Sequence, residues 1–495
     1  MILLTFIILN GWSSDTLLAE GYTSYPNQYN IVCDGNGNTH GIWFKWQISN
    51  MYSVWYGYYP MTQWTSFENL STGVAQSFNY SPSIASWTSE FGDTYLYALW
   101  QSNWVSHIGE GYFRIAMRKF SAMGEWEDTI GFVSPDSMDA FTPCAVCHYK
   151  GVVHIVWEEG YEICYRNLMD SEFSGGILLS NSGVYAAYPA IATFGDKIFV
   201  VWEDLRDGNF EIYFKEFDGN KWKQEERITS SAGASLFPSL CVDSSGAAHI
   251  VWQEDTIGGY KILYTNYTQG SFDTSTTVVE SPGEAVSPSI VSVGNKVHLV
   301  WSDSRDGDWE IYYKVKNQES KNGWGTPLRL TYNSGVSANP SISADKNGNL
   351  YLLFWDTRDG SAKVYFKKKV QSLVAKVQSS KLRIYPNPFR KKTSIEFSVG
   401  QGFSIANLKV CPTIQIYDLT GRLVKSLPIT EHRTPITEVV WDGKDNNGVK
   451  LSSGIYFLKV DLSRHVYPDA ECVGGMCRES QNLNEKIVEK IILLR

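Results

Sequence analysis

Short apolar runs that each end in an aromatic residue recur through the first three quarters of the chain. They read GIW, ALW, HIVW, FVVW, HIVW, HLVW and LLF, and they end at seven anchors, Trp43, Trp100, Trp157, Trp202, Trp252, Trp301 and Phe354. Successive anchors are 57, 57, 45, 50, 49 and 53 residues apart, close to the ~40–50 residues of a β-propeller repeat. The seven anchors therefore predict seven blades.

A second series of residues supports this count. Six units begin with a proline-led strand, at Pro82, Pro143, Pro189, Pro238, Pro288 and Pro340, and proline suits the first residue of a strand because it donates no ladder hydrogen bond. Six units also carry an aromatic residue after their third strand, at Trp64, Trp126, Phe173, Trp222, Phe272 and Trp324. The seventh unit lacks it. We predict that Thr16 to Ala19 supply the missing strand there, because a closed ring removes open sheet edges.

Composition agrees with an all-β fold. Charged residues make up 19% of the 495 residues and aromatic residues 14%, against a usual charged share of about 25%. The net charge is 43 − 52 = −9, so the surface as a whole does not attract nucleic acid or an anionic membrane. We predict no nucleic-acid partner.

The N-terminus carries an apolar run, ILLTFIIL, at residues 2–9. Eight residues are far fewer than the ~20 that span a bilayer, so we predict no membrane span. The run is typical of the apolar core of a secretory signal. The signal is atypical because no basic segment precedes this run. We expect residues 1–14 to be this signal, with cleavage between Gly11 and Ser14; the alternative is a first strand of the mature protein.

Eight cysteines are present, and most fall in apolar segments where a free thiol acts as a small hydrophobe. Cys472 and Cys477 differ, because the sequence ECVGGMC places them across a Gly-Gly turn; we predict a disulfide there. CAVCH, residues 144–148, matches a haem-attachment pattern. Its register puts Cys144 and Cys147 on opposite faces of one strand, about 10 Å apart, which argues against both haem and a mutual disulfide. No cofactor is predicted.

Four histidines stand three residues before an anchor, at His40, His154, His249 and His298. A ring of metal ligands is one interpretation. Other units put Tyr97, Phe199 and Tyr351 at the same place, and a position that accepts Phe is a packing position with, at most, a polar tip that reaches a partner. We predict packing and no metal site.

Turns of sequence Arg-Asp-Gly between second and third strands are the best binding candidates. They contribute Arg206, Asp207, Arg305, Asp306, Arg358 and Asp359. A guanidinium recognises a carboxylate through two hydrogen bonds, and in a propeller these turns share one end with the connections between blades. The alternative is a hairpin in which each arginine pairs with the local Asp204, Asp303 or Asp356.

The units resemble the repeats of sialidase-like propellers. Remnants of their Asp-box turn stand at Asp218-Gly219-Asn220-Lys221-Trp222 and Asn322-Gly323-Trp324. The resemblance implies an arginine triad with a Tyr/Glu pair in catalytic members. Phe113-Arg114-Ile115 echoes their FRIP motif, with Ala116 in place of proline, but it aligns with a third strand. No Tyr/Glu pair is assigned from the sequence.

A polar, basic stretch breaks the repeat, and we expect the propeller to end at 372 and a linker to occupy 373–382. Seven short strands then predict an immunoglobulin-like sandwich over 383–495. The motifs YPNPF, IYDLTGRLV, WDGKDNNG, SGIYFLKV and IILLR closely resemble the type IX secretion C-terminal sorting domain (type A) and its relative, the immunoglobulin-like domain of the flagellar hook scaffold. The resemblance implies export across an outer membrane, followed by removal or surface attachment, with the secretion machinery as partner.

These features predict an exported or cell-surface propeller, residues 15–372, that binds an extracellular glycan or protein. A secreted sialidase-like glycoside hydrolase is an alternative; it requires two convergent carboxyl groups, or a Tyr/Glu pair, on the side that carries the arginines. A structural envelope protein is another. We expect the protein to be secreted or held at the outer cell surface.

Overall fold

The computed structural model describes residues 12–20, 29–47, 51–60, 63–72, 78–103, 112–135, 137–317, 323–370, 383–398, 413–418, 422–428, 436–461 and 487–493. Regular structure in these ranges is all β, as predicted. No helix long and apolar enough to cross a membrane occurs in them. The chain forms two compact units, Met1–Val370 and Gln371–Arg495.

The described part of the N-terminal unit forms seven antiparallel sheets, numbered here in chain order. The first strand of the chain is β1 (Thr16–Glu20), which belongs to the seventh sheet. The first three sheets are β2 (Tyr29–Cys33), β3 (Thr39–Gln47), β4 (Met51–Tyr59) and β5 (Thr65–Asn69); β6 (Asn79–Thr88), β7 (Thr94–Ser102), β8 (Arg114–Phe120) and β9 (Gly131–Phe132); and β10 (Ala140–Cys147), β11 (Val153–Glu159), β12 (Glu162–Met169), β13 (Glu172–Phe173) and β14 (Ile177–Leu178).

The remaining four sheets follow the same plan. They are β15 (Ala186–Phe194), β16 (Lys197–Asp204), β17 (Glu211–Phe217) and β18 (Glu226–Arg227); β19 (Ser235–Val242), β20 (Ala248–Glu254), β21 (Lys261–Thr268), β22 (Ser271–Phe272) and β23 (Thr276–Val279); β24 (Ala285–Val293), β25 (Lys296–Asp306), β26 (Asp308–Asn317) and β27 (Leu328–Arg329); and β28 (Ser337–Ala344), β29 (Leu350–Asp356) and β30 (Lys363–Lys369) with β1.

The seven anchors occupy the second strand of each sheet, and all are fully buried. They lie there because the apolar runs that precede them alternate between the two faces of a sheet that is covered on both sides. Each pair of consecutive sheets shares one apolar core, and the first sheet shares another with the seventh. The first strands of neighbouring sheets also contact one another, including β2 with β28. The unit is therefore propeller-like.

The N-terminal strand joins the seventh sheet as the sequence predicts. Thr16 pairs with Phe366 and Leu17 with Tyr365 in an antiparallel register. Asp15 lies beside this pairing, with its carboxylate 2.7 Å from Arg358 Nη1 and 2.6 Å from Lys367 Nζ. An N-terminal segment thus completes the sheet through both backbone pairing and buried charge.

The fold extends upstream of residue 14, which bears on the expected signal. Trp12 is 5% exposed and packs edge-on against Tyr313, with ring centroids 5.4 Å apart. The N–H of Ser13 donates to the carbonyl of Lys368 at 2.7 Å. Residues 1–11 lie outside the described residues, and the cleavage site stays a prediction. Removal of all of residues 1–14 would delete the contacts of Trp12 and Ser13.

The C-terminal unit consists of two antiparallel sheets around one core. Its strands are β31 (Arg383–Tyr385), β32 (Thr393–Ser398), β33 (Thr413–Tyr417), β34 (Leu423–Pro428), β35 (Ile436–Trp441), β36 (Gly454–Asp461) and β37 (Ile487–Leu493), in the orders β31-β32-β35 and β34-β33-β36-β37. Each of the seven segments that the sequence predicts as a strand overlaps one of these strands. Trp441 and Tyr456 lie in the shared core, as predicted, with ring centroids 5.4 Å apart. Cys472, Cys477 and residues 373–382 lie outside the described residues.

Candidate functional site

The Arg-Asp-Gly turns lie at one end of the N-terminal unit. In the fourth sheet the turn follows β16, and Ala186 at the start of β15 pairs with Asp204 at the end of β16. The second-to-third-strand turns and the beginnings of the first strands therefore share this end, which we call the RDG end. The turns of the sixth and seventh sheets occupy the same place, between β25 and β26 and between β29 and β30.

Arg206 shows how these turns are built. Its Nε and Nη2 donate to the Asp204 carboxylate at 3.0 and 2.6 Å, and its Nη1 donates to Glu225. The guanidinium lies 4.3 Å from the centroid of the Tyr213 ring. Asp204 is fully buried and also accepts a 3.0 Å hydrogen bond from the indole of Trp202. Burial favours the neutral carboxyl, but the hydrogen bonds from Arg206 and Trp202 outweigh it and lower the pKa of Asp204.

The same arrangement recurs in the other two turns. Arg305 donates to Asp303 through Nε at 2.8 Å and Nη2 at 2.5 Å. Arg358 donates to Asp356 through Nη2 at 2.5 Å, and its Nη1 reaches Asp15. Arg206 and Arg358 each pair with two acidic residues, whereas among the residues that the structure describes Arg305 pairs with Asp303 alone. It is thus the arginine whose local pairing is least complete.

The aspartates of the turns are also engaged within the fold. The Tyr213 hydroxyl donates to Asp207 at 2.6 Å, and the Tyr365 hydroxyl donates to Asp359 at 2.6 Å. Asp306 accepts the equivalent bond from the third-strand tyrosine of its own sheet. All six predicted ligand residues therefore take part in local pairs. These pairs agree with the alternative interpretation, in which each turn is a hairpin whose arginine pairs with a nearby aspartate. Direct contact with a ligand stays a prediction.

A feature that the sequence did not reveal lies at the beginning of six first strands. The residue before each proline has a left-handed backbone, with φ between 44° and 53°: Ser81, Thr142, Tyr188, Phe237, Ser287 and Asn339. Each stands at a break in the pairing register. Such a conformation costs of order 1–3 kcal/mol for a residue other than glycine. We call these six residues the bulge ring.

Neighbouring members of the bulge ring contact each other across sheets. The rings of Tyr188 and Phe237 lie 4.7 Å apart between centroids. The Ser287 hydroxyl donates to Asn339 Oδ1 at 2.9 Å. The first strands that carry these residues are in contact with those of the adjacent sheets.

The backbone of the bulge ring is held by side chains of the preceding sheet. The N–H of Phe237 donates to Glu203 at 2.8 Å, and that of Ser287 donates to Gln253 at 2.9 Å. The equivalent acceptors for Asn339 and Thr142 are Ser302 at 2.9 Å and Gln101 at 3.3 Å. The acceptor is in each case the residue directly after an anchor. These bonds satisfy N–H groups that the bulges remove from the sheet ladder.

The residues directly after the anchors of the third and fourth sheets are both glutamates, Glu158 and Glu203. The charge of Glu158 affects the pKa of Glu203. Glu158 and Glu203 are 6% and 3% exposed. Burial raises the pKa of Glu158 to about 7. Burial also raises the pKa of Glu203 to about 8. The hydrogen bond from the Phe237 N–H lowers this pKa, whereas the charge of Glu158 raises it further. Both carboxyls are therefore poised to change protonation near neutral pH.

Two tyrosines are influenced by the two carboxyls. Burial raises the pKa of Tyr185 above its ordinary value, and the charge of Glu158 contributes to the rise. Burial also raises the pKa of Tyr188 to about 12, with the charges of Glu203 and Glu158 contributing. Tyr185 also lies within an aromatic series at the RDG end, 5.8 Å from the Tyr161 ring. Tyr161 is 63% exposed. The charges of Glu158 and Glu203 therefore both act on Tyr188, an arrangement that the sequence did not reveal.

One sequence signal marks these glutamates. The units put Phe44, Gln101, Glu158, Glu203, Gln253, Ser302 and Trp355 directly after their anchors. Only the third and fourth units carry an acid there, and the two are adjacent. Their proximity follows from the packing of neighbouring sheets and not from spacing along the chain.

The other motifs have structural roles. Cys144 packs against the core between the third and fourth sheets and Cys147 against that between the second and third, on opposite faces of β10 as predicted. Arg114 opens β8, a third strand, and lies 4.0 Å from the Phe132 ring. No group of three or more His, Cys, Asp or Glu side chains suited to a metal ion occurs in the described ranges.

The four aligned histidines are packing residues with a polar partner. Each Nδ1 lies 2.7–2.8 Å from the hydroxyl of a third-strand tyrosine, in the pairs His40–Tyr56, His154–Tyr165, His249–Tyr264 and His298–Tyr313. The prediction of a packing position with a polar tip is confirmed. The histidines lie in separate sheets, each bonded to its own tyrosine.

Sequence comparison identifies one segment of the C-terminal unit. Residues 401–465 match the FlgD Ig-like domain. The match confirms the resemblance to the hook-scaffold domain, whereas a sorting role stays a prediction. No curated protein matches the chain in sequence.

Several solved structures match the chain at low sequence identity. PorZ of Porphyromonas gingivalis, a surface component of the type-IX secretion system, is 12% identical with a TM-score of 0.44, over 94% of this chain and 59% of PorZ. An ulvan lyase is 12% identical with a TM-score of 0.46, over 70% of this chain and 95% of the lyase. A protein of unknown function from Dyadobacter fermentans is 10% identical with a TM-score of 0.43, over 58% and 93%.

Proposed function

We propose that the chain is an exported surface module in which a closed seven-bladed β-propeller, residues 15–372, binds a glycan at its RDG end. The cores shared by each pair of consecutive sheets, and by the first sheet with the seventh, support a closed ring. The pairing of β1 with β30 covers the edge that a linear array would leave open.

The convergence of unlike groups at the RDG end is the observation that carries the binding role. Aromatic rings, hydroxyl groups and two carboxyls meet where the first strands begin, on backbone held in a costly conformation. Strain of this kind is commonly retained at ligand sites. Aromatic faces flanked by a few fixed polar groups suit the apolar faces and hydroxyl groups of sugars.

The arginine turns support this end of the molecule. Arg206 and Arg358 each hold two acidic groups and so fix the turns around the site. Arg305 holds Asp303 alone among its described acidic neighbours, and it is the one of the three that contacts the ligand.

A glycoside hydrolase is the second candidate. The specific observation in its favour is that the charge of Glu158 acts on Glu203, and that burial raises the pKa of Glu158 to about 7 and that of Glu203 to about 8. An acid that is protonated at neutral pH is able to protonate a leaving group. Both carboxyls are nearly inaccessible, and Glu203 has the same hydrogen-bonding role as Gln253. Binding therefore stands as the first proposal.

The C-terminal unit, residues 383–495, is proposed to be a sorting domain read by the outer-membrane secretion machinery. The motifs of the sequence and the FlgD Ig-like match at 401–465 support this role. Intact mass of the secreted protein tests it. Loss of the C-terminal unit, or added mass from an attached group, is expected, and an unmodified chain that still ends at Arg495 would contradict it.

A glycan array and a panel of fluorogenic glycosides, both used with the full chain, separate the candidate functions. Binding without turnover is expected. Turnover that Glu158→Gln abolishes would establish the hydrolase instead, whereas no binding and no turnover would favour a structural envelope protein. Phe91→Ala serves as the control variant, because Phe91 is 85% exposed in the turn between β6 and β7, at the opposite end of its sheet.

A further inference from the structure

We infer that the bulge ring binds an uncharged pyranose residue of the glycan. The apolar face of the sugar stacks on Tyr188 and Phe237. Its hydroxyl groups hydrogen-bond to Ser287 and Asn339 on the other side of the ring. This inference rests on the proposed glycan-binding function and specifies which sugars the site accepts.

The position of the bulge ring is the first step. Its six residues precede the prolines of six first strands, and the first strands of neighbouring sheets are in contact. The contacts Tyr188–Phe237 and Ser287–Asn339 bridge the fourth to the fifth sheet and the sixth to the seventh. Two pairs of side chains from neighbouring sheets thus meet at the RDG end.

The chemistry of the bulge ring divides it into two parts. Tyr188 and Phe237 form an aromatic pair with an interplanar angle of 62°. The remaining members, Ser81, Thr142, Ser287 and Asn339, carry hydroxyl or amide groups. A pyranose has the same division, with C–H groups on one face and hydroxyl groups at its edge. Each half of the ring therefore has a matching part of the sugar.

The backbone fixes these side chains without dictating their identity. All six residues share a φ of 44–53°, yet they include two aromatic, three hydroxyl-bearing and one amide side chain. Hydrogen bonds from the preceding sheet hold the N–H of Phe237, Ser287 and Asn339. The architecture therefore requires the bulge, whereas the side chain at each bulge is free to serve recognition. A preorganised site loses little entropy on binding.

The charges nearby favour an uncharged sugar. None of the six ring residues carries a charge. Glu158 and Glu203 lie beside Tyr188, where any ionised fraction repels a uronate or sulfate. The guanidinium of Arg206 is already neutralised by Asp204 and Glu225. The charge of Arg305, the arginine proposed to contact the ligand, is matched by the Asp303 carboxylate, which leaves it to donate to sugar hydroxyl groups. A carboxylate or sulfate on the ligand would meet no unsatisfied cation among these groups.

Binding of the full chain to matched oligosaccharides tests the inference. The panel pairs neutral hexose oligomers with uronate-containing, sulfated and sialylated oligomers of similar length. Tyr188→Asn and Phe237→Asn remove the aromatic rings with little added backbone strain, because asparagine tolerates positive φ. Asn339→Asp keeps the shape and adds a negative charge. Tyr188→Phe retains the ring and is the conservative variant.

We expect the wild type to prefer neutral oligomers, and each asparagine variant to lose affinity by about tenfold. Tyr188→Phe and the distant Phe91→Ala are expected to retain binding. Asn339→Asp is expected to weaken it. Circular dichroism and thermal unfolding show whether each variant is folded. If Tyr188→Asn does not fold, the affinities of Phe237→Asn and Asn339→Asp for the neutral oligomers test the inference instead.

The possible failures are distinguishable. If the wild type binds no glycan, the proposed function fails and the inference fails with it. If the wild type binds glycans but prefers anionic ones, or if the folded ring variants bind as well as wild type, the glycan-binding function stands and the inference is overturned.

Discussion

The carboxyl group of Glu203 accepts a 2.8 Å hydrogen bond from the backbone N–H of Phe237 in the next sheet. Gln253 makes the equivalent bond to Ser287 at 2.9 Å. A protonated glutamate closely matches a glutamine in shape and hydrogen bonding. The raised pKa of Glu203, about 8, therefore makes it a counterpart of Gln253 at neutral pH.

The first prediction concerns the pH dependence of stability. Because the folded pKa of Glu203 lies above its ordinary value of 4.5, its contribution is fully present below pH 4.5 and is lost as the pH rises toward about 8. The loss is on the order of 5 kcal/mol. Glu203→Gln is expected to be more stable than wild type above pH 8, with the difference vanishing near pH 4.5. Urea unfolding from pH 4.5 to 9 measures it.

The reciprocal substitution is the control for this prediction. Gln253→Glu is expected to introduce a similar loss of stability with rising pH, because Gln253 is 4% exposed and makes the same contact. Parallel pH profiles for wild type and Glu203→Gln would show that the folded pKa of Glu203 is not raised.

The second prediction concerns the charge cluster at the N-terminal strand. Asp15→Asn is expected to destabilise the N-terminal unit by about 3 kcal/mol, because it leaves the buried Lys367 ammonium without its carboxylate and removes one of the two acidic partners of Arg358. Urea unfolding measures the change. Glu280→Gln is the control, since Glu280 is 75% exposed where it pairs with Lys261 and such pairs contribute little. Equal effects of the two variants would contradict a role for Asp15 in securing the strand.

The third prediction concerns the arginine turns. Arg206→Ala leaves the Asp204 carboxylate buried and without its cation, so we expect a loss of about 3 kcal/mol in unfolding free energy. Adding Asp204→Asn is expected to restore part of it, because the double variant no longer buries an uncompensated charge. A double-mutant cycle measures the coupling. Additive losses would mean that the pair does not stabilise the turn.

The fourth prediction concerns the mature N-terminus. A chain that begins at Gly11 is expected to be more stable than one that begins at Asp15, by about 3 kcal/mol, because it retains the buried Trp12 indole. Thermal unfolding compares the two. Within the longer chain, Trp12→Ala is expected to reproduce the loss. Equal stability of the two chains would place the start of the folded unit after Ser14.

Much of the fold was predictable because its determinants are local. Apolar alternation ending at Trp157 or Trp202 marks a second strand wherever the sheet is covered on both sides, and all seven anchors are buried. The Arg206–Asp204 pair was also foreseeable, since the partners are only two positions apart in the sequence. The bulge ring was not, because a proline before a strand does not specify the backbone of the residue preceding it.

The sequence by itself determined the repeat, its anchors, the N-terminal strand of the seventh sheet and the seven C-terminal strands, because each depends on short-range patterning of apolar and polar residues. Only the tertiary structure decided which groups meet. Asp15 reaches Arg358 across 343 residues, and Glu158, Tyr185 and Glu203 come together because neighbouring sheets pack face to face. The pKa of each carboxyl depends on that packing, since burial and nearby charges are properties of the assembled fold.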